Sequence, residues 1–287
     1  MKRNAIIMAA GTSSRFVPLS SETPKGLLDV KGEILVERQI RQLHAAGIED
    51  VTLVAGYMDD KFSYLKDRFG IDIVLNEDYS RYNNTSSLIR VLDRLGDTYI
   101  CSSDNYFPSN VFLGNPEQSF YSARYAHGDT DEYCIYTDGN GRIASVSVGG
   151  KDSWYMVGHV YFSREFSEVF KTLLANEYVK EETRLGYWED VYIRHIGDLP
   201  PMYIRKYNDG EIEEFDSLDE LRRFDSSYIG NTRSSVIKDI AKRLDCKESD
   251  LDGFTKISHK GDHLLFSFRK CGTEYLYNGK NNSLTQQ

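Results

Sequence analysis

No apolar run in this 287-residue chain approaches the ~20 residues of a membrane span, so membrane insertion is not expected. The run Ala5–Ala10 is also too short for the core of a secretory signal. There is no basic block: 35 Lys and Arg stand against 44 Asp and Glu, a formal net charge of −9, which argues against a nucleic-acid coat or a polybasic membrane anchor. Anionic ligands stay open, because a few local cations can hold a phosphate on an acidic protein. The four cysteines, Cys101, Cys134, Cys246 and Cys271, form neither a CxxC pair nor a zinc spacing. They read as free thiols of a reducing, cytoplasmic setting. Internal repeats and low-complexity tracts are absent. What remains is an ordinary globular balance, 40% hydrophobic and 28% charged, long enough to bury a sizeable core.

The first half alternates between strand and helix patterns. Ala5-Ile6-Ile7-Met8-Ala9 suits a strand buried on both faces. A helical period over Ile34–Ala46 ends at Gly47. Val51–Val54 predicts a second strand, Asp59–Phe69 a helix, Ile71–Leu75 a third strand, Ser86–Leu95 a helix and Tyr99–Cys101 a fourth strand. This order implies an α/β fold with a doubly wound, mostly parallel sheet flanked by helices, whose ligands sit at the carboxyl ends of the strands. Further on, Phe120–Tyr125, Glu132–Tyr136, Ile143–Val148 and Met156–Phe162 predict four strands, with Asp138-Gly139-Asn140-Gly141 as a hairpin turn. Helices are expected at Arg164–Ala175 and Tyr187–His195, and a strand at Met202–Lys206. Ser217-Leu218-Asp219-Glu220 is a capping box. Asp225-Ser226-Ser227 is the best candidate boundary, giving a main domain over 1–227 and a small α+β extension over 228–287.

The loop after the first strand runs Ala9-Ala10-Gly11-Thr12-Ser13-Ser14-Arg15 and continues to Pro18-Leu19 and Thr23-Pro24-Lys25. It lacks the later glycines of GxGxxG and is not a Walker loop. A backbone that approaches a triphosphate needs glycine and small side chains. Arg15 offers a planar fork for phosphate oxygens and Lys25 a compact point charge; a solvated loop with incidental cations is the plainer alternative. Asp104 follows a strand at its carboxyl end. Glu214 and Asp216 are two apart, so an extended chain points both to one face. Three such carboxylates would suit Mg²⁺; the alternative is a turn cap at Asp104 and an acidic rim before a helix.

The first loop is similar to the signature of the nucleotidyltransferases that activate sugars and small phosphorylated alcohols. Tyr82-Asn83-Asn84-Thr85-Ser86-Ser87-Leu88, Ser103-Asp104-Asn105-Tyr106 and Glu214-Phe215-Asp216-Ser217 narrow this: over residues 5–225 the chain resembles the bacterial CTP:phosphocholine cytidylyltransferases. The resemblance implies a nucleotide-diphospho-sugar transferase-like fold and a Mg²⁺-dependent transfer of CMP from CTP to phosphocholine, with pyrophosphate leaving. It implies that Gly11 and its neighbours hold the triphosphate, that Arg15 stabilises the leaving pyrophosphate, and that Lys25 bridges the α-phosphate and the attacking phosphate. Asn83 and Ser87, with backbone groups at Ala9 and Ala10, could match a cytosine edge, although Asn83-Asn84 could equally cap a helix.

For the acceptor, Tyr133, Trp154, Tyr187 and Trp188 could face a quaternary ammonium, with Glu189 and Asp190 supplying charge. The family pattern leads one to expect a tryptophan near Tyr133, and one acid with one amide where this chain has Glu189-Asp190. A primary amine, as in 2-aminoethylphosphonate or phosphoethanolamine, would suit two acids better. A sugar phosphate fits the aromatic middle segment less well, and a non-catalytic nucleotide-binding module would be expected to lose the charged residues. Val236 to Leu244, Phe254-Thr255-Lys256, and Leu264-Leu265-Phe266-Ser267-Phe268 to Glu274-Tyr275 resemble the first helix and hairpin of bacterial choline kinases without the catalytic loop. A homodimer stays open.

Overall fold

The computed structural model describes residues 2–257 and 264–287. In chain order it contains β1 (Asn4–Ala9), β2 (Asp29–Val30), β3 (Glu33–Ile34), α1 (Leu35–Ala45), β4 (Asp50–Ala55), α2 (Tyr64–Phe69), β5 (Asp72–Leu75), α3 (Thr85–Leu88) and β6 (Thr98–Ser102). There follow β7 (Ser119–Thr137), β8 (Ile143–Phe162), α4 (Arg164–Glu177), α5 (Glu181–Leu185), α6 (Trp188–Arg194), β9 (Met202–Lys206), α7 (Leu218–Phe224), α8 (Ser227–Gly230) and α9 (Ser235–Arg243). The chain closes with β10 (Leu251–Lys256), β11 (Leu265–Lys270), β12 (Thr273–Asn278) and β13 (Ser283–Gln286).

Two compact units result. The first takes the chain up to Gly11 together with Val36–Glu213; the second takes Thr12–Leu35 with Glu214–Gln287. The 227/228 boundary expected from sequence falls inside the second unit. The loop that leaves β1 clusters with the C-terminal segment, a pairing of residues about 200 apart that no local change of composition announces.

The first unit is built on a seven-stranded sheet of order β5-β4-β1-β6-β8-β7-β9. The strands β5, β4, β1 and β6 run parallel, β8 is antiparallel to both β6 and β7, and β9 is parallel to β7. This is the mostly parallel, helix-flanked α/β fold expected. The four short strands predicted over 120–162 are instead two long ones, β7 and β8, joined at the predicted turn. There Asp138 N donates to Arg142 O at 2.9 Å and Gly141 takes a positive φ of 80°. Register shifts interrupt the ladder between Ala126 and Asp129 and near Tyr133, where polar residues break the sequence alternation without ending the pairing. A core of Ile6, Val54, Ile100, Val160, Phe162 and Phe166 joins the sheet to α4.

A buried histidine in this unit links stability to pH. His159 is fully buried; its ring stacks on Tyr99 at 5.7 Å and meets Phe107, Phe112, Phe120 and Tyr207 edge-on. Nδ1 lies 2.9 Å from Ser122 Oγ, while Nε2 has no hydrogen-bond partner among the described residues. Burial, with Arg205 adding to it, pushes the imidazole down to about 3 from 6.5. The folded state therefore holds His159 neutral while the unfolded chain protonates near 6.5. Its stabilising contribution is present above that value and is lost as pH falls toward 3. Urea titrations should show stability falling by up to about 1.4 kcal/mol per pH unit from this group below pH 6.5. In His159→Phe the slope between pH 6.5 and 5 should flatten; an unchanged slope would refute the assignment.

The second unit carries the short β2–β3 hairpin, α7 to α9 and an antiparallel sheet of order β10-β11-β12-β13. The predicted capping box forms at α7, where Ser217 Oγ accepts from Glu220 N at 3.2 Å. The expected strand pair near 264–277 is the β11–β12 hairpin, and β10 and β13 flank it. Phe254, Phe266, Phe268 and Tyr277 pack into one aromatic cluster.

Candidate functional site

Within the second unit the loop over residues 12–28 has little regular structure. It turns at Ser13, whose φ is +47°, and Phe16 N donates to Ser13 O at 2.9 Å. Phe16, Val17 and Leu19 are buried, so they anchor the loop while Thr12 and Arg15 stay exposed. Pro24 is extended (φ −54°, ψ 141°) and Lys25–Leu27 form one 3₁₀ turn behind it. That turn directs Lys25 inward: only 7% of its side chain is exposed. A buried ammonium needs partners, and Lys25 Nζ lies 3.5 Å from Asp216 Oδ1 and 4.0 Å from Glu214 Oε1, with the Phe16 ring 6.0 Å away. Arg15 Nη1 meets Asp216 Oδ2 at 3.2 Å, although its side chain is 75% exposed. Glu214 and Asp216 do share a face, with Phe215 buried between them. Four of the predicted residues, distant in sequence, thus form one cluster of two cations and two carboxylates.

In the first unit, Ala9 and Ala10 are buried at the carboxyl end of β1. Ala10 O accepts from Tyr57 N at 3.1 Å. Gly56 permits this approach, since a Cβ there would lie 2.9 Å from Ala10 Cβ and 2.8 Å from Tyr79 Cβ. At Gly11 the chain itself would leave a Cβ free of contacts. Asp104 sits on the turn after β6. That turn is braced by the fully buried Gln39, whose Nε2 donates to Ser102 O at 2.8 Å and to Asn105 O at 2.9 Å. Beneath it, a Cβ at Gly158 would collide with Ser102 Oγ. Gln39, Gly56 and Gly158 were not visible as site residues in the sequence; their roles come from contacts made far along the chain.

Asp104 belongs to one unit and Glu214 and Asp216 to the other. Among the described residues no three His, Cys, Asp or Glu side chains are grouped to hold a metal. The pair Glu214–Asp216 does fit magnesium by its donor chemistry. Magnesium binds through one or two carboxylates, with substrate phosphates completing its shell, rather than in an all-protein cage.

Asn83 and Ser87 lie where β5 and α3 meet. Asn83 Oδ1 accepts from Asn84 N at 2.8 Å, a local bond at the start of α3. Ser87 is buried and its Oγ accepts from Asn76 Nδ2 at 2.9 Å, which fixes the hydroxyl and leaves its O–H and a second lone pair for another partner. Asn76, which also donates to Ser86 Oγ at 2.8 Å, was missed.

At α6 the structure brings together Tyr133, Tyr187, Glu189 and Asp190. Asp190 Oδ2 accepts from Tyr187 N at 2.8 Å, closing the first turn of α6, while its Oδ1 accepts from Tyr133 OH at 2.8 Å. The Tyr133 and Tyr187 rings meet edge-on at 6.3 Å. Glu189 accepts from Tyr121 OH at 3.0 Å and from Asn84 Nδ2 at 3.1 Å. Burial pushes its carboxyl up to about 7, against the lowering effect of those donors.

Two predicted aromatics fall elsewhere. Trp188, expected to line a pocket, is 2% exposed and packs in the core against Tyr121, Phe162 and Phe170 at 5.6–5.9 Å. Its position beside two acids in sequence hid this, because one residue along a helix turns the side chain about 100°. Trp154 meets Tyr125 edge-on at 5.3 Å and carries Lys206 Nζ 4.8 Å from its ring, so a cation of the chain itself holds that face.

Residues 5–110 match the MobA-like NTP transferase domain. The 2-aminoethylphosphonate cytidylyltransferase of Lancefieldella rimae is 35% identical over 237 residues, 81% of this chain and 96% of that protein. The choline-phosphate cytidylyltransferase of Haemophilus influenzae is 31% identical, over 76% of this chain and 94% of its own length. The structure of the CTP:phosphocholine cytidylyltransferase of Streptococcus pneumoniae superimposes with a TM-score of 0.76 at 30% identity, covering 79% of this chain and 99% of that one.

Proposed function

Because the chain belongs to the family of the CTP:phosphocholine cytidylyltransferases and is therefore a nucleotidyltransferase, we propose that it transfers CMP from CTP to a small phosphate or phosphonate carrying a primary amine, of the 2-aminoethylphosphonate type. An acceptor oxygen attacks the α-phosphorus, the bond from that phosphorus to the bridging oxygen breaks, and pyrophosphate leaves with the electron pair. A dianionic acceptor needs no general base, so the protein's task is to bring two anions together. Lys25 lies low in the cluster and serves the α-phosphate and the attacking oxygen; the exposed Arg15 serves the leaving pyrophosphate. Gly11, Thr12 and Ser13 offer backbone and hydroxyl donors to the triphosphate. The open space at Gly11 supports this, since the chain's own packing does not require a glycine there. Ala9 and Ala10 backbone groups, with Asn83 and the Ser87 hydroxyl, are left to read cytosine.

Glu214 and Asp216 would hold Mg²⁺; Asp104, expected from sequence as a third carboxylate, belongs to the other unit. Once bound, the ion would supply charge neutralisation at the α-phosphate. Formal charges within the cluster already cancel, two cations against two carboxylates, so any added divalent charge is offered to the phosphates.

The observation that carries the acceptor assignment is the Glu189 carboxyl, partly buried and held by Tyr121 and Asn84 next to Asp190. An ammonium with N–H donors can give charge-assisted bonds to such a carboxylate, whereas a quaternary ammonium cannot. The Tyr133–Tyr187 pair favours a second reading, phosphocholine, by offering ring faces. Pyrophosphate release with CTP, Mg²⁺ and a panel of 2-aminoethylphosphonate, phosphoethanolamine and phosphocholine separates them. The expected kcat/KM favours the primary amines by about tenfold or more and rises with pH through about 7 as Glu189 ionises. Glu189→Gln should abolish both the preference and that rise. A tenfold preference for phosphocholine, or an unchanged ratio in Glu189→Gln, would refute the primary-amine assignment.

A further inference from the structure

We propose that the segment after α7 is a clamp that positions the cationic loop, with Glu22, Asp225 and Tyr228 as positioning residues for Lys25; this rests on the transfer reading above. The loop over 12–35 has only two 3₁₀ turns and the two-residue strands β2 and β3 of its own. Its internal bonds around Lys25 are those of a single turn, Leu27 N to Pro24 O at 2.8 Å and Leu28 N to Lys25 O at 3.1 Å. Such a stretch does not fix a side chain by itself, since ordering each residue costs backbone entropy.

The C-terminal residues of the same unit take hold of it on both sides of Lys25. Three residues before, Glu22 accepts from Ser235 N at 2.8 Å and from the hydroxyls of Ser234 and Ser235, at the start of α9. Four residues after, Asp29 O accepts from Tyr228 OH at 2.8 Å. Two residues further, Lys31 N donates to Asp225 Oδ2 at 2.7 Å, and Lys31 Nζ lies 3.9 Å from the centre of the Phe224 ring. Tyr228 is fully buried and Asp225 is 6% exposed, so two of these ties are shielded from competing water. Between the grips lies a cavity of about 130 Å³, lined on the loop side by Leu27 and Leu28 and opposite by Tyr228 and Thr232. Packing is thus interrupted where the two sides face each other, so the hydrogen bonds around the cavity set the local position of residues 25–31, and loss of one lets that stretch shift. A shift of about 1 Å in a reacting group can cost about 10²-fold in rate.

Tyr228→Phe and Glu22→Ala, made in the full chain, test this. Each is expected to lower kcat per folded molecule about tenfold, with the CTP KM within twofold, because the cation is misplaced for the transition state rather than lost for binding. In a Lys25→Gln background the same changes should cost little further, since no ammonium is left at position 25 to place. Undiminished kcat in both single variants, or the same tenfold loss on top of Lys25→Gln, overturns the clamp. Hydrogen exchange gives a reading that needs no activity: the Leu27 and Leu28 amides should exchange at least tenfold faster in both variants, with the Ile6 and Ile7 amides of β1 unchanged. Unaltered exchange at Leu27 and Leu28 overturns the clamp as well. A wild-type chain that turns over no CTP would refute the transfer reading instead, and the exchange result then decides the clamp alone.

Discussion

Lys25→Ala is expected to lower kcat for CMP transfer by roughly 10³-fold, the scale seen when a single group that stabilises transition-state charge is removed. Two unit charges 4 Å apart repel by about 1 kcal/mol in water and about 4 kcal/mol at an effective dielectric of 20, and each phosphate group carries more than one. A cation between them offsets most when water does not screen it. With 7% of its side chain exposed, Lys25 meets that condition; Arg15, at 75%, does not. Arg15→Ala should therefore cost far less, about tenfold, and its effect should shrink as salt rises. The fold should survive both changes, because Glu214 and Asp216 are 36% exposed and can be solvated without Lys25. Steady-state kinetics with a far-UV circular dichroism control checks this; equal losses at Lys25 and Arg15 would contradict it.

The second large effect is expected at Asp216. If Glu214 and Asp216 hold the ion as proposed, Asp216→Asn should lower kcat/KM by about 10²–10³-fold at fixed magnesium, and the magnesium giving half-maximal rate should rise at least tenfold, since an anionic carboxylate donor becomes a neutral amide. Asp216 also touches both Arg15 and Lys25, so two roles must be told apart. A loss of rate without any change in the magnesium requirement would make Asp216 a holder of the cations and not a metal ligand. Glu214→Gln, on the same face, should move the magnesium requirement in the same direction.

Much of this cluster was legible in the sequence because it depends on local chemistry. The apolar run of β1, the small residues after it, and the two-residue spacing of Glu214 and Asp216 each express a backbone rule of period two or a steric need. The turn at Asp138–Gly141 and the cap at Ser217 are equally local. What was hidden depends on partners distant in the chain. The clustering of residues 12–35 with the C-terminal segment joins stretches about 200 residues apart. The ladder of β7 and β8 runs through polar stretches that break the alternating pattern. Trp188 and Glu189 are neighbours in sequence, yet one enters the core and the other joins Asn84 and Tyr121. Gly158 reads as an ordinary strand glycine until Ser102 is seen against it.

Whether a positive charge at the Lys25 position is what permits two anions to react can be asked chemically. Removing the side chain in Lys25→Ala vacates a nearly enclosed space, and small amines can be added to the assay. Methylammonium or ethylammonium should restore the rate at least tenfold in a saturable way, whereas neutral acetamide of similar size should not. A folded, CTP-binding Lys25→Ala variant that no cation revives, or that acetamide revives equally, would contradict charge compensation by this loop as the source of catalysis.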